Sequence, residues 1–232
     1  MTVPYETARE QLLEAALMHV PFDGWSEATF KAAIRDADIA PEVARSACPR
    51  GAVDLAMAFH RRGDAVLRDR LAATDMSGMR FRDKVTEAVW IRLEVAEDKE
   101  AVRRGTTLFA LPLYAADGAR LIWETADTIW TALGDTSDDV NWYTKRATLS
   151  GVWSATVLYW LGDDSPDHMA TRALLERRIG DVMQIEKLKA QARKSPVLSR
   201  LMSGPDWLLG KIRAPQPGQR DDLPGRWSEP HR

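Results

Sequence analysis

The residues able to carry out chemistry are few in this sequence and widely spaced. Four histidines and one cysteine are the strongest potential metal ligands and nucleophiles. No histidine lies in the His-x-x-Glu or His-Glu-x-x-His pattern typical of zinc and di-iron sites on helices. Gly-rich phosphate loops and the G-x-S-x-G nucleophile elbow are absent from the sequence. We therefore predict a protein without enzymatic activity, metal or cofactor.

One aromatic and cationic pair stands out instead. Trp142 and Arg146 are four residues apart near the start of a predicted helix. Their ring and guanidinium share one helix face at this spacing and are expected to stack. Such a pair at a helix end is typical of a protein contact surface.

A basic and apolar segment near the C-terminus has the pattern of a membrane-surface helix. Residues 187–213 hold seven basic side chains against one acid, a net charge of +6. We predict an amphipathic helix over residues 196–213 that binds an anionic membrane surface. The alternative is a helix packed on the surface of the domain. The apolar contacts would come from Leu198, Leu201, Met202, Trp207, Leu208, Leu209 and Ile212, and the headgroup contacts from Lys194, Arg200, Lys211 and Arg213.

Helical periodicity dominates the chain and predicts an all-α fold. Three short helices between residues 8 and 47 favour a helix-turn-helix arrangement. The first helix should end at Pro21 to Gly24, and a later one should follow Pro112. A mostly apolar helix, residues 140–161, should be central in its domain. The predicted divisions are a helix-turn-helix subdomain (1–72), a second helical domain (73–195), the amphipathic helix (196–213) and a tail (214–232).

Composition and charge exclude several function classes. The 232 residues carry a net charge of only −2, so no basic excess indicates nucleic-acid binding. Asp36 and Asp38 precede the helix-turn-helix segment that would read DNA, residues 41–50, and oppose phosphate contact. Uncharged stretches fall short of the roughly 20 residues that a membrane span needs. A lone cysteine and the lack of a secretory pattern favour a reducing compartment.

Nine tryptophans are a high count for this length, and six lie in the predicted long helices. Core packing explains them most simply. The alternative is an apolar cavity between helices for an aromatic or isoprenoid ligand.

Two motifs carry a resemblance to a known family. Residues 141–146 read NWYTKR, and residues 164–167 read DSPD. The chain, from its first helix to about residue 190, resembles the ubiquinone (coenzyme Q) biosynthesis accessory lipid-binding protein family. The resemblance implies a TetR-repressor-like helical bundle, often a homodimer, that has lost DNA binding.

The resemblance also implies a function. An apolar cavity would hold an isoprenoid quinone precursor or a phospholipid at the membrane, and Trp142, Tyr143 and Arg146 would contact the demethoxyubiquinone hydroxylase. We expect a bacterial protein that is cytoplasmic and peripheral to the inner membrane. A TetR-type ligand-responsive transcriptional regulator is the alternative, and an uncharacterised enzyme is a third possibility. The expected cavity residues are Leu111, Leu121, Ile122, Ile129, Val152, Trp153 and Leu158.

Overall fold

The structure, a computed structural model, describes residues 5–96, 98–194 and Ala214, without the side chains of residues 185–194. These residues form ten α-helices and one 3-10 turn, Pro166–His168, and contain no strand. The predicted all-α fold is confirmed. The helices are α1 Tyr5–Leu17, α2 Val20–Asp23, α3 Glu27–Asp36, α4 Pro41–Ala47, α5 Ala52–Ala73, α6 Phe81–Glu94, α7 Lys99–Phe109, α8 Ala115–Ala132, α9 Val140–Leu161 and α10 Met169–Lys194.

Helices α1 to α4 pack with the first half of α5 around one apolar core. Leu12, Phe30 and Leu55 are fully buried there. The Ser26 side chain accepts a hydrogen bond from the Thr29 N–H and caps α3, as the sequence predicts. Asp38 has φ of +50° in the turn between α3 and α4. Aspartate thus adopts the left-handed conformation that glycine usually supplies in this turn.

A second core forms between the rest of α5 and helices α6, α8, α9 and α10. Helix α9 buries Leu149 and Trp160 against its neighbours, but Leu158 and Tyr159 on its other side are exposed, so its predicted central place is corrected: α9 keeps one face at the surface. Asp163 holds the start of α10 because its carboxylate accepts hydrogen bonds from the backbone N–H and hydroxyl of Thr171. Hydrogen bonds from Ser165 and then from Thr171 hold the pKa of Asp163 well below its usual range.

Two further features differ from the sequence prediction. Helix α7 is absent from that prediction because its apolar residues are few and its anchoring is tertiary: Trp25 Nε1 donates to the Ala101 carbonyl at 3.1 Å. The first helix ends at Leu17, and the short α2 follows it as a separate element. The predicted helix after Pro112 is confirmed as α8, which begins at Ala115.

No helix within the described residues is both long and apolar enough to cross a membrane. The predicted amphipathic helix over residues 196–213 lies outside the described residues, and so do its seven apolar contacts and Arg200, Lys211 and Arg213. Lys194 is the last residue of α10.

Candidate functional site: an apolar cavity and an aromatic patch

A cavity of about 450 Å³ lies between helices α5 to α9. Its wall is mostly apolar and includes Phe59, Phe109 and Trp160. Two wall residues, Val66 and Leu158, are 36% and 60% exposed, so the cavity reaches the surface beside them. A volume of this size is ordinary for a site that holds a small apolar ligand.

Four of the seven predicted cavity residues line this wall: Leu121, Ile122, Trp153 and Leu158. The other three lie elsewhere, and the prediction is corrected for them. Ile129 and Val152 are buried in the packed core, and Leu111 is half-exposed between α7 and α8. Helical periodicity shows which face of a helix is apolar. It does not show whether that face meets a neighbour or a void.

Sequence reasoning missed a polar group at the cavity. His60 and Arg92 line the wall, and Arg92 Nε donates to Asp64 Oδ1 at 2.7 Å. Thr125 Oγ1 lies 2.8 Å from His60 Nε2 and 2.9 Å from Asp64 Oδ1. Burial lowers the pKa of His60 to about 4, so its imidazole is neutral near pH 7. The four-residue spacing of His60 and Asp64 was the available signal.

Within the described part of the chain, no three His, Cys, Asp or Glu side chains are grouped so as to hold a metal ion. Burial raises the pKa of the Cys48 thiol to about 11, which keeps it in the unreactive protonated form.

A second feature is an aromatic patch formed by Trp123, Trp142 and Tyr143. The ring centres of Trp142 and Tyr143 are 4.8 Å apart, and Trp123 on α8 lies 5.8 Å from Trp142. All three side chains are half-buried. Trp123 was not assigned to this surface from the sequence, because its place beside Trp142 depends on the packing of α8 against α9.

Arg146 lies beneath the patch and contacts the Trp142 ring. Its guanidinium lies 4.0 Å from the centre of the Trp142 ring, which confirms the predicted stacking. Arg146 is only 2% exposed, however, so its expected place on the surface is wrong. Its Nε donates to Asp127 Oδ1 at 2.5 Å, and its Nη1 donates to Asp135 Oδ2 at 3.0 Å. Two carboxylates draw the cation inward, and the Trp142 ring covers it.

Asp135 joins α9 to the loop that precedes it. Burial acts to raise its pKa, but hydrogen bonds from Lys145, Ser137 and Arg146 outweigh burial and lower the pKa to about 2. The Lys145 ammonium lies 2.7 Å from Asp135 Oδ1. These contacts hold Arg146 in place, and Arg146 in turn holds Trp142.

The fold defines the class of protein first. The chain has the architecture of TetR-type proteins and superposes on the crystal structure of a TetR transcriptional regulator from Nitrosomonas europaea with a TM-score of 0.61. The match covers 74% of this chain and 95% of that one at 14% sequence identity. At this identity the likeness concerns the fold alone.

The sequence comparisons are more specific. Residues 115–186 match the COQ9 family model. The mitochondrial ubiquinone biosynthesis protein COQ9 of Drosophila melanogaster is 30% identical over 191 residues, which cover 80% of this chain and 58% of that protein. Human COQ9 is 27% identical over 198 residues, which cover 82% of this chain and 62% of the human protein.

The chain thus spans about three-fifths of the length of these curated relatives. The family resemblance predicted from the sequence is confirmed: the protein is related to the COQ9 proteins and shares the TetR-like fold. The family match covers α8, α9 and most of α10. It therefore contains the whole aromatic patch and one side of the cavity wall.

Replacing Asp135 with Asn should lower the free energy of unfolding at pH 7 by about 1–2 kcal/mol, since a carboxylate with a lowered pKa stabilises the fold only when ionised. In the native protein this stabilisation is complete above about pH 4 and is lost as the pH falls towards 2. Urea unfolding at several pH values measures both effects. Asp138→Asn, at an exposed position in the same loop, is the control and should leave the profile unchanged. Equal stability of Asp135→Asn and the native chain at pH 7 would contradict the assignment.

Proposed function

We propose that this protein is a non-enzymatic lipid-binding accessory protein of ubiquinone biosynthesis. It holds isoprenoid quinone precursors in its cavity at the membrane surface and presents them to the demethoxyubiquinone hydroxylase. The observation that carries the proposal is a large apolar cavity, open beside Leu158, in a TetR-like protein related to COQ9. The proposed location is the cytoplasmic face of the inner membrane.

The proposed work of the protein is thermodynamic. An isoprenoid tail stays in the bilayer because each methylene removed from water contributes about 0.8 kcal/mol. A cavity with an apolar wall offers the tail an equivalent environment, so partial extraction costs little. The polar head of the lipid can then be delivered to an active site on another protein.

The aromatic patch is the proposed contact with the hydroxylase. Large aromatic side chains dominate the energetics of protein interfaces. Trp142 and Tyr143 are partly exposed on α9, and Arg146 positions Trp142 from below. Arg146 therefore acts through Trp142 in this proposal and does not contact the partner itself.

A transcriptional regulator of TetR type remains the second candidate because of the fold. The helix-turn-helix surface argues against it. Arg45, an exposed cation on α4, forms an ion pair with Glu27 and lies 4.7 Å from the centre of the Phe30 ring. Glu42 is exposed on the same short helix. A surface of paired and acidic side chains provides little neutralisation for DNA phosphates.

Val157→Trp tests the cavity. Val157 lines the wall and is half-buried, so a larger ring should fill the space where a tail binds. We expect the variant to keep its melting temperature and to lose most of its copurifying lipid, as measured by native mass spectrometry and lipid extraction. Ala155→Trp, exposed on the same helix, is the matched control and should retain lipid. Equal lipid content in both variants and the native chain would argue against the cavity.

Trp142→Lys tests the aromatic patch. The substitution replaces the central ring with a hydrated charge and should abolish association with the demethoxyubiquinone hydroxylase in a pull-down. Thr148→Lys, which adds the same charge at an exposed site on α9, should bind normally. Circular dichroism melting should show that both variants are folded. Undiminished association of Trp142→Lys would mean that the patch is not the interface.

Deletion of residues 197–213 tests the membrane contact. The net positive charge and apolar spacing of this segment predict binding to acidic headgroups. Sedimentation with anionic vesicles should fall strongly in the deletion variant, and neutral vesicles serve as the control. If sedimentation is unaltered, another part of the protein binds the membrane.

A further inference from the structure

One buried cation interrupts the apolar wall of the cavity. Arg92 on α6 is 5% exposed, and its guanidinium lies 5.3 Å from the centre of the Trp153 ring. Its Nε donates to Asp64, and its Nη2 donates to the His60 carbonyl oxygen at 3.0 Å. Both Arg92 and Trp153 line the cavity. A charged group is therefore built into the wall and held against an aromatic ring.

The third nitrogen of this guanidinium, Nη1, carries N–H groups that none of these contacts uses. Within residues 5–96 and 98–194, Arg92 Nη1 makes no hydrogen bond to another residue. Nη1 is not among the buried, unpaired side-chain atoms of these residues, so it is accessible to a small molecule. Since Arg92 lines the cavity, a molecule in the cavity can accept a hydrogen bond from Nη1.

Gly63 provides the room that this arrangement needs. A Cβ atom at Gly63 would lie 2.7 Å from the carbon and both terminal nitrogens of the Arg92 guanidinium. The glycine lets the guanidinium lie directly against α5, within reach of Asp64 on the same helix. The position of Arg92 is therefore set by contacts on three sides.

Each arginine in the cavity wall is paired with a carboxylate. Asp64 compensates Arg92, and the imidazole of His60 is neutral near pH 7. Arg62, the other arginine in the wall, forms ion pairs with Glu10 and Glu14. A carboxylate or phosphate entering this space would bring a net charge into an apolar environment, which is costly. A neutral oxygen would gain the Nη1 hydrogen bond without that cost.

We propose that Arg92 Nη1 is the donor that recognises the head of the ligand, a neutral ring with a carbonyl or hydroxyl oxygen, as in a prenylated quinone or phenol. The ring lies beside Trp153, and the isoprenoid tail occupies the apolar remainder of the cavity. This inference rests on the proposed lipid-binding function and specifies which lipids the cavity selects.

The test compares three ligands of equal tail length on the full-length protein: a benzoquinone with a three-isoprene tail, the hydrocarbon farnesene and farnesyl phosphate. Isothermal titration should give an affinity for the quinone at least about tenfold above that for the phosphate, a difference of about 1.4 kcal/mol. Infrared spectra should show the carbonyl stretch of the bound quinone shifted to lower frequency by the hydrogen bond.

The variant is Asp64→Asn combined with Arg92→Met. Replacing Arg92 alone would leave Asp64 buried and unpaired, which destabilises proteins strongly, whereas removing both charges is often tolerated. The double variant should bind the quinone about tenfold more weakly and lose the carbonyl shift, with farnesene binding unchanged within about twofold. Arg61→Met removes an exposed cation of α5 that pairs with Glu124, and it should behave like the native chain.

The outcomes separate the two proposals. If the double variant binds the quinone as tightly as the native chain with the same carbonyl shift, Arg92 does not recognise the head. Equal binding of farnesyl phosphate and the quinone would likewise overturn the selection of neutral ligands. If neither the quinone nor farnesene binds the native protein, the lipid-binding function fails together with this inference.

Discussion

Burial of one face of helix α9 is the constraint on which the rest of the structure depends. Leu149, Trp153 and Trp160 lie on this face and are all at most 6% exposed, whereas Leu158 on another side of the helix is 60% exposed. Neighbouring helices cover the buried face, and they leave a cavity where large side chains meet glycine and alanine of α5, α7 and α8. The cavity and the aromatic patch both depend on this helix, at different points along it.

Two buried arginines are held in the same way. Arg92 pairs with Asp64 and lies over Trp153, and Arg146 pairs with Asp135 and lies under Trp142. A buried guanidinium needs a carboxylate to offset its desolvation, so removal of that carboxylate destabilises the fold. The aromatic ring covers the cation and loses its own freedom to move. In each case a charged group gives a tryptophan one defined position, once at the cavity and once at the surface.

This arrangement relates the cavity to the patch. Helices α8 and α9 supply wall residues such as Ile122 and Trp153, and they also supply Trp123 and Trp142. The family match over residues 115–186 covers these same two helices. In the proposed function, a location of both surfaces on one pair of packed helices keeps the distance between them constant.

The sequence by itself determined the all-α class and the stacking of Trp142 on Arg146, because both depend on local helical spacing. The NWYTKR motif also led to the resemblance to the COQ9 proteins that the comparisons confirm. Tertiary structure alone decided that Arg146 is buried, that Trp123 completes the patch and that His60, Asp64 and Arg92 meet at the cavity. The Arg146–Asp127 and Arg92–Asp64 contacts, for example, join residues 19 and 28 positions apart in the chain. Periodicity identifies the apolar face of each helix, but voids and buried ion pairs arise only where several faces meet, since they depend on how neighbouring helices are spaced and rotated.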